Sequence, residues 1–278
     1  MQHRHIAIRP ISSGIRLTLC IALVLGVSAC KQHPSTPVTA PTGNWVQLFN
    51  GKDLDDWTVK IAGHDVNDNF GDTFRVENGL LKVSYDRYKN FGRQFGSLFY
   101  KSKFSHYWLR AEYRFVGNLA PGAPSWAYKD SGIQLHCQSP SGMSRDQEFP
   151  VSVEFNLIGG RFLSRPTGDV CRNGTRLTIG GKFLDKKCSA LSDITIRGDA
   201  WVTALAEVEG GARIRQIVNG IQIVEYSNVQ LDDVDADAAK LLAAGTPAAL
   251  DAGYISIQSN GFPIEFRKIE LLPLDDSR

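Results

Sequence analysis

Two segments, Ser-Gly-Ile-Gln-Leu-His-Cys at residues 131–137 and Val-Ser-Val-Glu-Phe-Asn-Leu at residues 151–157, decide the fold of this chain. Polar and apolar residues alternate in both segments. This alternation is typical of β-strands with one buried face, because successive side chains of a strand point to opposite faces. The segments therefore predict two strands of a sheet that is apolar on its inner face and polar on its outer face.

The outer face predicted for these strands is rich in functional groups. It presents Gln134 and His136 from the first strand and Ser152, Glu154 and Asn156 from the second. The residues that alternate with them face inward, and these are Ile133, Leu135, Cys137, Val151, Val153, Phe155 and Leu157. A face that collects imidazole, carboxylate and amide groups beside an apolar core predicts a groove of the size of a carbohydrate.

The rest of the chain favours an all-β sandwich. Asn219-Gly220 lies between two apolar runs and predicts a type I′ hairpin. The alanine-rich stretch 235–244, closed by Gly245, predicts the single short helix. Many strands separated by turn residues indicate two packed sheets. The strand-like runs are 73–77, 80–85, 97–101, 106–116, 132–137, 151–157, 201–208, 213–218, 221–226, 253–258 and 264–272.

The first thirty residues are predicted to be an export signal. An apolar run at 17–27 follows a basic start and is too short to span a bilayer as a mature helix. Val-Ser-Ala-Cys at 27–30 resembles the bacterial lipobox, in which Cys30 is acylated and becomes the mature N-terminus. The alternative is an ordinary secretory signal cut after Ala29. The basic residues of the start are Arg4, Arg9 and Arg16.

The segment after the signal is predicted to be a linker. Residues 31–43 are polar and rich in Pro and Thr, which predicts an extended spacer between a lipid anchor and a domain at 44–278. Lys31 rather than Asp after Cys30 favours sorting of the lipoprotein to the outer membrane, facing the periplasm or the cell surface. Several acyl chains together would hold such a protein on the membrane stably.

The charge balance excludes partners that need a strongly basic surface. The chain has 31 Lys and Arg against 29 Asp and Glu, and three of the Arg residues belong to the predicted signal. The remainder therefore has 28 basic against 29 acidic residues, a net charge of −1 with His neutral. Neither a nucleic-acid site nor a polybasic membrane patch follows from this balance. The sequence leaves the oligomeric state unknown.

Cys171 and Cys188 are predicted to form a disulfide. They bracket a segment rich in Gly and Lys that has no apolar core of its own, and an exported protein meets an oxidising compartment. The alternative, a metal site built on two cysteines, lacks neighbouring ligands. Cys137 alternates with His136 and is predicted to be a buried small hydrophobic residue rather than a nucleophile.

Three segments together resemble the 3-keto-disaccharide hydrolase family. They are Leu-Phe-Asn-Gly-Lys-Asp-Leu at 48–54 with Trp57, the strand at 131–136, and Gly-Tyr-Ile-Ser-Ile-Gln-Ser at 253–259 leading into Pro-Ile-Glu-Phe-Arg-Lys-Ile at 263–269. The resemblance implies a concanavalin A-like lectin/glucanase jelly-roll β-sandwich. It also implies substrates whose sugar is already oxidised to a ketone at carbon 3. Asn156 departs from the pattern, in which Gln is expected.

The single carboxylate of the second strand disfavours an ordinary glycosidase. Such an enzyme needs two carboxylates that flank the scissile bond. The neighbours of Glu154 on its own strand face are Ser152 and Asn156, which do not ionise, so a second carboxylate such as Asp130 or Glu265 would have to approach from elsewhere. A 3-keto-glycoside needs only one base to remove the proton on carbon 2, after which the aglycone leaves by β-elimination and water adds back.

We predict three catalytic roles for this reaction. Glu154 is the base, Arg267 stabilises the enolate oxygen and His136 donates the proton to the leaving group. Each residue has a structural alternative: Glu154 as an exposed strand carboxylate, His136 as a partner that orients Glu154, and Arg267 as an ion-pair residue. A further alternative is that His136 and Glu154 hold a divalent metal ion, which would replace Arg267 as the electrophile. No other cofactor is indicated.

Six more residues are predicted to bind the substrate. Gln134, Asn156 and Gln258 would hydrogen-bond sugar hydroxyls, and the loop at 117–130 would contribute Trp126, Tyr128 and Asp130. An aromatic ring in this loop either stacks on a sugar ring or anchors the loop.

The sequence therefore predicts an exported hydrolase or lyase that cleaves 3-keto-glycosides. The alternative from a different class is a lectin-like lipoprotein that binds carbohydrate without chemistry, because the same fold serves both purposes. A third function, endo-glucanase activity, is disfavoured by the absence of a second carboxylate on the Glu154 strand face.

Overall fold

Two antiparallel sheets packed face to face form the protein. The computed structural model describes residues 37–274. The predicted signal and Cys30 lie outside these residues. No helix between residues 37 and 274 has the length and apolar character needed to cross a membrane.

One sheet has ten strands and the other has six. The strand bounds are β1 Val46–Gln47, β2 Trp57–Ile61, β3 Phe74–Glu77, β4 Leu80–Val83, β5 Gly96–Phe104, β6 His106–Phe115, β7 Asp130–Cys137, β8 Ser152–Ile158, β9 Val170–Asn173, β10 Thr175–Ile179, β11 Lys182–Phe183, β12 Val202–Glu209, β13 Arg213–Val218, β14 Ile221–Leu231, β15 Gly253–Ser259 and β16 Ile264–Pro273. The helix α1 spans Ala236–Ala243.

The order of the strands confirms the predicted jelly-roll sandwich. The ten-stranded sheet runs β11-β10-β14-β13-β12-β6-β16-β4-β3, with β1 paired to β16. The six-stranded sheet runs β2-β5-β15-β7-β8-β9. Residues 131–137 and 152–157 lie in β7 and β8, which are neighbours in this sheet, with Gln134 opposite Glu154.

The core lies between the two sheets. The inward residues of β7 and β8 are fully buried, for example Leu135 and Phe155, and they belong to the same apolar cluster as Tyr113 and Phe266 of the larger sheet. Each buried Leu or Phe side chain contributes about 1.5–3 kcal/mol relative to an exposed one. This burial fixes the register of the two strands and so fixes which residues face outward.

All the predicted strands and the helix are confirmed, and five short strands escaped prediction. Gly174 shows the reason for two of them. It lies between β9 of the six-stranded sheet and β10 of the ten-stranded sheet, with φ +65°, so the chain changes sheets there. Arg172, Asn173 and Arg176 interrupt the apolar alternation on both sides of this corner. The unpredicted strands are β1, β2, β9, β10 and β11.

The described end of the predicted linker, residues 37–43, lies against the domain. The Val38 amide donates to the Gly220 carbonyl at 2.7 Å, at the predicted hairpin. Val38 and Ala40 pack on an apolar cluster that includes Trp108, on the outer side of the larger sheet. The apolar side chains in this part of the segment therefore contact the domain.

Candidate active site

A polar cleft lies on the outer face of the six-stranded sheet. Its volume is about 210 Å³. Strands β7, β8, β9 and β15 form its floor, and the loops before β7, before β8 and after β11 form its walls. The lining residues are Trp126, Asp130, Phe149, Glu154, Asn156, Cys171, Asn173, Lys187, Cys188, Gln258 and Asn260.

Glu154 is the carboxylate at the centre of the cleft floor. It lies opposite Gln134 of β7 and Cys171 of β9, and it is only 6% exposed. Its Oε2 accepts hydrogen bonds from Asn173 Nδ2 at 2.9 Å and from Gln258 Nε2 at 3.2 Å. Burial raises the pKa of Glu154 above its usual range, while the two amide donors and the charge of Lys187 oppose the rise.

Gly132 gives the Glu154 side chain its position. On β7 it occupies the outer face between Asp130 and Gln134, opposite Asn156. A Cβ atom at this glycine would lie 2.8 Å from Glu154 Cγ and 2.9 Å from its Oε1. The missing side chain therefore leaves the space over which the carboxylate extends toward β7.

Asp130 is a second buried carboxylate in the same cleft. It is the first residue of β7 and 8% exposed. Its Oδ1 accepts a hydrogen bond from Asn260 Nδ2 at 2.7 Å, and Arg165 Nη2 lies 3.6 Å from its Oδ2. Burial, and then the charge of Glu154, raise the pKa of Asp130 to about 7.

Two amide side chains connect the carboxylates. Asn260 Nδ2 donates both to Asp130 and to Gln258 Oε1, the latter at 2.6 Å, and Gln258 in turn donates to Glu154. An amide nitrogen has two donors and can serve two acceptors in this way. The chain of bonds holds both carboxyl groups in fixed orientations.

Aromatic rings and one cation form the mouth of the cleft. Trp126 is 50% exposed and stacks on Phe95 with ring centroids 5.6 Å apart and an angle of 8° between the planes. Lys187 Nζ lies 5.4 Å from the centre of the Phe149 ring. An indole supported on one side and half open to solvent is the kind of surface on which a sugar ring stacks.

The predicted disulfide is confirmed and forms part of the cleft wall. Cys171 of β9 is bonded to Cys188, 17 residues further along the chain. The bond ties the loop that carries Lys187 to the strand beside Glu154.

The structure does not bring His136 to Glu154. His136 has φ +51°, and the register between β7 and β15 shifts between Tyr254 and Ser256. This bulge interrupts the alternation, so the His136 imidazole leaves the outer face and its Nε2 lies 3.0 Å from the carbonyl oxygen of Gly210, at the end of β12 in the opposite sheet. The predicted meeting of the two side chains in one cleft is therefore wrong.

Cys137 changes face with His136. Its Sγ lies 3.4 Å from Ser256 Oγ, which donates to Gln134 Oε1, so the thiol is on the side of Gln134. It is free and buried, as predicted, but beneath the outer face rather than in the main core. Gly253 accommodates the bulge, because a Cβ atom there would lie 2.3 Å from the carbonyl carbon of His136.

Arg267 lies on the other side of the sandwich. It belongs to β16 in the ten-stranded sheet, where its Nε donates to Glu112 Oε2 at 2.5 Å and its guanidinium covers the Trp201 ring at 4.7 Å. The structural alternative, an ion-pair residue, describes its position. It does not reach the cleft.

The predicted substrate-binding residues divide into two groups. Trp126, Asp130, Asn156 and Gln258 line the cleft. Gln134 shares the face of Glu154 but is fully buried outside the cleft, where its Oε1 accepts from Ser97 and Ser256. Tyr128 packs edge-on against Phe262, with ring centroids 5.1 Å apart, and so anchors the loop instead of facing a ligand.

The predicted metal pair does not form, since His136 and Glu154 face different sides. Between residues 37 and 274, no group of three or more His, Cys, Asp and Glu side chains is placed to hold a metal ion. The cleft therefore lacks the imidazole that a His136–Glu154 site for a divalent ion would need.

Asn173, Lys187 and Asn260 line the cleft and were not predicted. Asn260 follows Gln258 at the spacing of a strand face, and Lys187 precedes a cysteine of the predicted disulfide. These two sequence positions were enough to indicate that Asn260 and Lys187 lie near the cleft. Asn173 lies in the unpredicted strand β9, so its face had no assignment.

Comparison with protein families gives a match over most of the chain. A family model described as a 3-keto-alpha-glucoside-1,2-lyase-like domain matches residues 44–272. No curated protein matches this sequence.

Solved structures of similar fold share little sequence with the chain. A Bacillus subtilis protein of unknown function with a galectin-like fold is 10% identical, with a TM-score of 0.49 over 86% of this chain and 98% of its own. The Emp47p carbohydrate recognition domain is 14% identical, with a TM-score of 0.46 over 84% of this chain and 99% of its own. A native glycosidic hydrolase is 13% identical, with a TM-score of 0.45 over 85% of this chain and 99% of its own.

Proposed function

This chain belongs to the family of 3-keto-alpha-glucoside-1,2-lyase-like domains, and from that premise we propose that it cleaves glycosides whose sugar carries a ketone at carbon 3. Membership makes it a carbohydrate-active protein of the hydrolase type. The observation that carries the finer proposal is Glu154, a buried carboxylate whose side-chain hydrogen-bond donors are the amides of Asn173 and Gln258.

Glu154 has the properties of a base for this reaction. The ketone at carbon 3 acidifies the proton on carbon 2, so a single carboxylate can remove it. Burial raises the pKa of Glu154, and a higher pKa makes its carboxylate a stronger base at neutral pH. Removal of the proton gives an enolate, which expels the group on carbon 1, and water then adds to carbon 1 of the resulting enone.

The lining of the cleft supports a sugar in this position. The half-exposed Trp126 ring offers a stacking surface, and Asn156 and Gln258 offer amides to sugar hydroxyls. Lys187 is the cation whose charge acts on both Glu154 and Asp130, so we assign it to the developing enolate oxygen in place of Arg267.

We also propose that the protein is an exported lipoprotein held by an acylated Cys30, with the domain outside the cytoplasm. The Cys171–Cys188 disulfide supports this proposal, because such bonds persist in oxidising compartments. Mass spectrometry of the mature N-terminus tests it: a diacylglycerol-modified Cys30 is expected, and a chain beginning with an unmodified Cys30 would contradict the anchor.

The test of the activity is a paired substrate assay. Purified protein is incubated with 3-keto-trehalose and with trehalose, and release of 3-ketoglucose is measured. Turnover of the keto form alone is expected. Binding of both sugars without turnover would favour a lectin-like protein, an alternative that the exposed Trp126 surface also suits. Cleavage of trehalose itself would favour an ordinary glycosidase.

A further inference from the structure

Asp130 is a buried carboxylate for which the reaction described above has no role. That reaction still needs a group that gives a proton to the departing glycosidic oxygen. His136, predicted for this task, lies against Gly210 in the opposite sheet. Asp130 lies in the cleft itself.

The positions of Asp130 and Glu154 suit two groups that act on neighbouring atoms of one bound sugar. Their side chains share the outer face on the neighbouring strands β7 and β8. The Glu154 carboxylate extends over Gly132, two residues from Asp130 along β7. At about 3.3 Å per residue this is roughly 7 Å along the strand, with no side chain between them at Gly132. A space of this length accommodates a sugar carbon 2 at one end and the oxygen on carbon 1 at the other.

The surroundings of Asp130 favour its protonated form near neutral pH. It is buried at the start of β7, and the charged groups that face it are Glu154 of β8, Arg165 in the loop after β8 and Lys187 in the loop after β11. Burial and the Glu154 charge favour the neutral acid, whereas Arg165, Lys187 and the Asn260 hydrogen bond favour the carboxylate. The balance leaves the pKa of Asp130 at about 7. An acid of this strength can both give and take a proton in one catalytic cycle.

We propose that Asp130 is the catalytic acid that protonates the departing glycosidic oxygen and then acts as the base for the incoming water. This inference rests on the proposed function. It changes the cleft from a site with one catalytic carboxylate to a site in which two carboxylates have separate tasks.

Every proton that Glu154 and Asp130 take up in the cycle is also released. The Glu154 carboxylate takes the carbon 2 proton and leaves an enolate. The enolate reforms the ketone, the carbon 1–oxygen bond breaks, a carbon 1–carbon 2 double bond forms, and protonated Asp130 gives its proton to the leaving oxygen. In the second half Asp130 takes a proton from water as the water oxygen bonds to carbon 1. Glu154, whose carboxyl proton exchanges with solvent before this step, gives a proton to carbon 2. The net change is glycoside plus water to 3-keto sugar plus alcohol, with both side chains restored.

Leaving groups of different basicity test this role. Methyl 3-keto-glucoside releases a poor leaving group that needs a proton, whereas 4-nitrophenyl 3-keto-glucoside releases a stable phenolate that does not. With Asp130→Asn we expect kcat for the methyl glycoside to fall by about 10²–10⁴. In a single turnover, release of 4-nitrophenol should keep its rate within about tenfold, since cleavage of this bond needs no proton from Asp130 and the measurement precedes the addition of water. Glu154→Gln is the matched control, and it should lower both rates alike.

Equal losses on the two substrates in Asp130→Asn would overturn the role of proton donor. Failure of the wild-type protein to act on either keto-glycoside would instead overturn the proposed function, and activity of Glu154→Gln would overturn only the base.

The pH dependence of the wild-type protein gives a second readout. Because the donor must be protonated, kcat for the methyl glycoside should fall above about pH 7, and the 4-nitrophenyl glycoside should lack this fall. This comparison of two substrates needs no variant, so it tests Asp130 as the proton donor even if Asp130→Asn does not fold. Identical alkaline limbs for both substrates would contradict the proposal.

Discussion

The outer faces of the two sheets are both polar, but their carboxylates have different partners. On the ten-stranded sheet, charges lie in pairs: Arg114 with Glu265 at 2.8 Å, Arg267 with Glu112 at 2.5 Å, and Arg110 with Glu270. On the six-stranded sheet, Glu154 has amides as side-chain donors. Asp130 has an amide donor and only a distant guanidinium at 3.6 Å.

The difference separates structural polarity from chemical function. Glu265 and Glu270 of the ten-stranded sheet are as buried as the two cleft carboxylates, but a guanidinium balances the charge of each. A buried carboxylate that is bound by amides keeps its reactivity, and burial raises its pKa toward the pH at which a protein acid or base works. The pairing of a charge, rather than its presence on a strand face, therefore distinguishes the site from the opposite surface.

The largest difference in kcat should be seen between two variants that each replace one carboxylate, one on each sheet face. Glu154→Gln should lower kcat for a 3-keto-glycoside by at least about 10³, because the variant has no base. Glu265→Gln, on the ten-stranded face, is the matched control, because Glu265 is as buried as Glu154 but is paired with Arg114 and lies outside the cleft. Folded Glu265→Gln protein should retain kcat within about twofold. Comparable losses in the two variants would remove the distinction between the faces.

Asp130→Asn should make the protein more stable at neutral pH. The pKa of Asp130 in the folded state, about 7, is above its ordinary value of 3.8, so the wild-type protein loses stability as pH rises from about 4 to about 7. The variant lacks this loss and should gain up to about 4 kcal/mol at pH 8, at 1.36 kcal/mol per pKa unit. Below pH 4 the two proteins should be alike.

Denaturant unfolding at pH 4 and pH 8 measures this difference. Asp56→Asn is the control, because Asp56 is half-exposed and paired with Lys101, and its effect should stay below about 1 kcal/mol at both values. A stability gain that is equal at both pH values would show that titration of Asp130 is not the cause.

Loss of the disulfide should affect stability and the cleft together. Cys171→Ser with Cys188→Ser should cost about 3 kcal/mol of unfolding free energy, the value for a closed loop of about 15 residues. It should also lower activity, because the bond fixes the loop that carries Lys187 at the cleft mouth. Dithiothreitol should reproduce the effect, and a Cys137→Ala variant should keep the response to the reductant. Unchanged activity in the reduced protein would exclude a role of this loop.

The smallest effect should come from Arg267. Arg267→Met leaves the side-chain stem over Trp201 and removes the ion pair with Glu112, so we expect a change of at most about 1 kcal/mol in stability and none in activity. Thermal unfolding and the keto-glycoside assay measure both quantities. A large loss of activity would require Arg267 to act on the site, against its place in the opposite sheet.

Sequence patterns could predict the strand face of Glu154 but not which side chains lie beside it. Alternation of period two around Phe155 and Leu157 fixes the face of Glu154 through core burial alone. The face of His136 depends on a bulge that Gly253 accommodates, more than a hundred residues away in the sequence, so no local pattern reveals it.

The approach of Asp130 to Glu154 could not be predicted from local sequence either. Asp130 ends a loop rich in Pro and Gly, where alternation has not yet begun. Its approach to Glu154 depends on the β7–β8 register and on the missing side chain at Gly132. Burial of the charged groups, which raises both pKa values, likewise becomes visible only when the loops that form the cleft walls are in place.

Exchange of the carbon 2 proton tests the central role of Glu154 most directly. A 3-keto-glycoside is incubated with the protein in D₂O, and the carbon 2 signals of substrate and product are followed by proton NMR. We expect deuterium at carbon 2 of the released 3-keto sugar with the wild-type protein and none above the buffer rate with Glu154→Gln. Release of sugar that keeps its original proton at carbon 2 would contradict removal of that proton by Glu154.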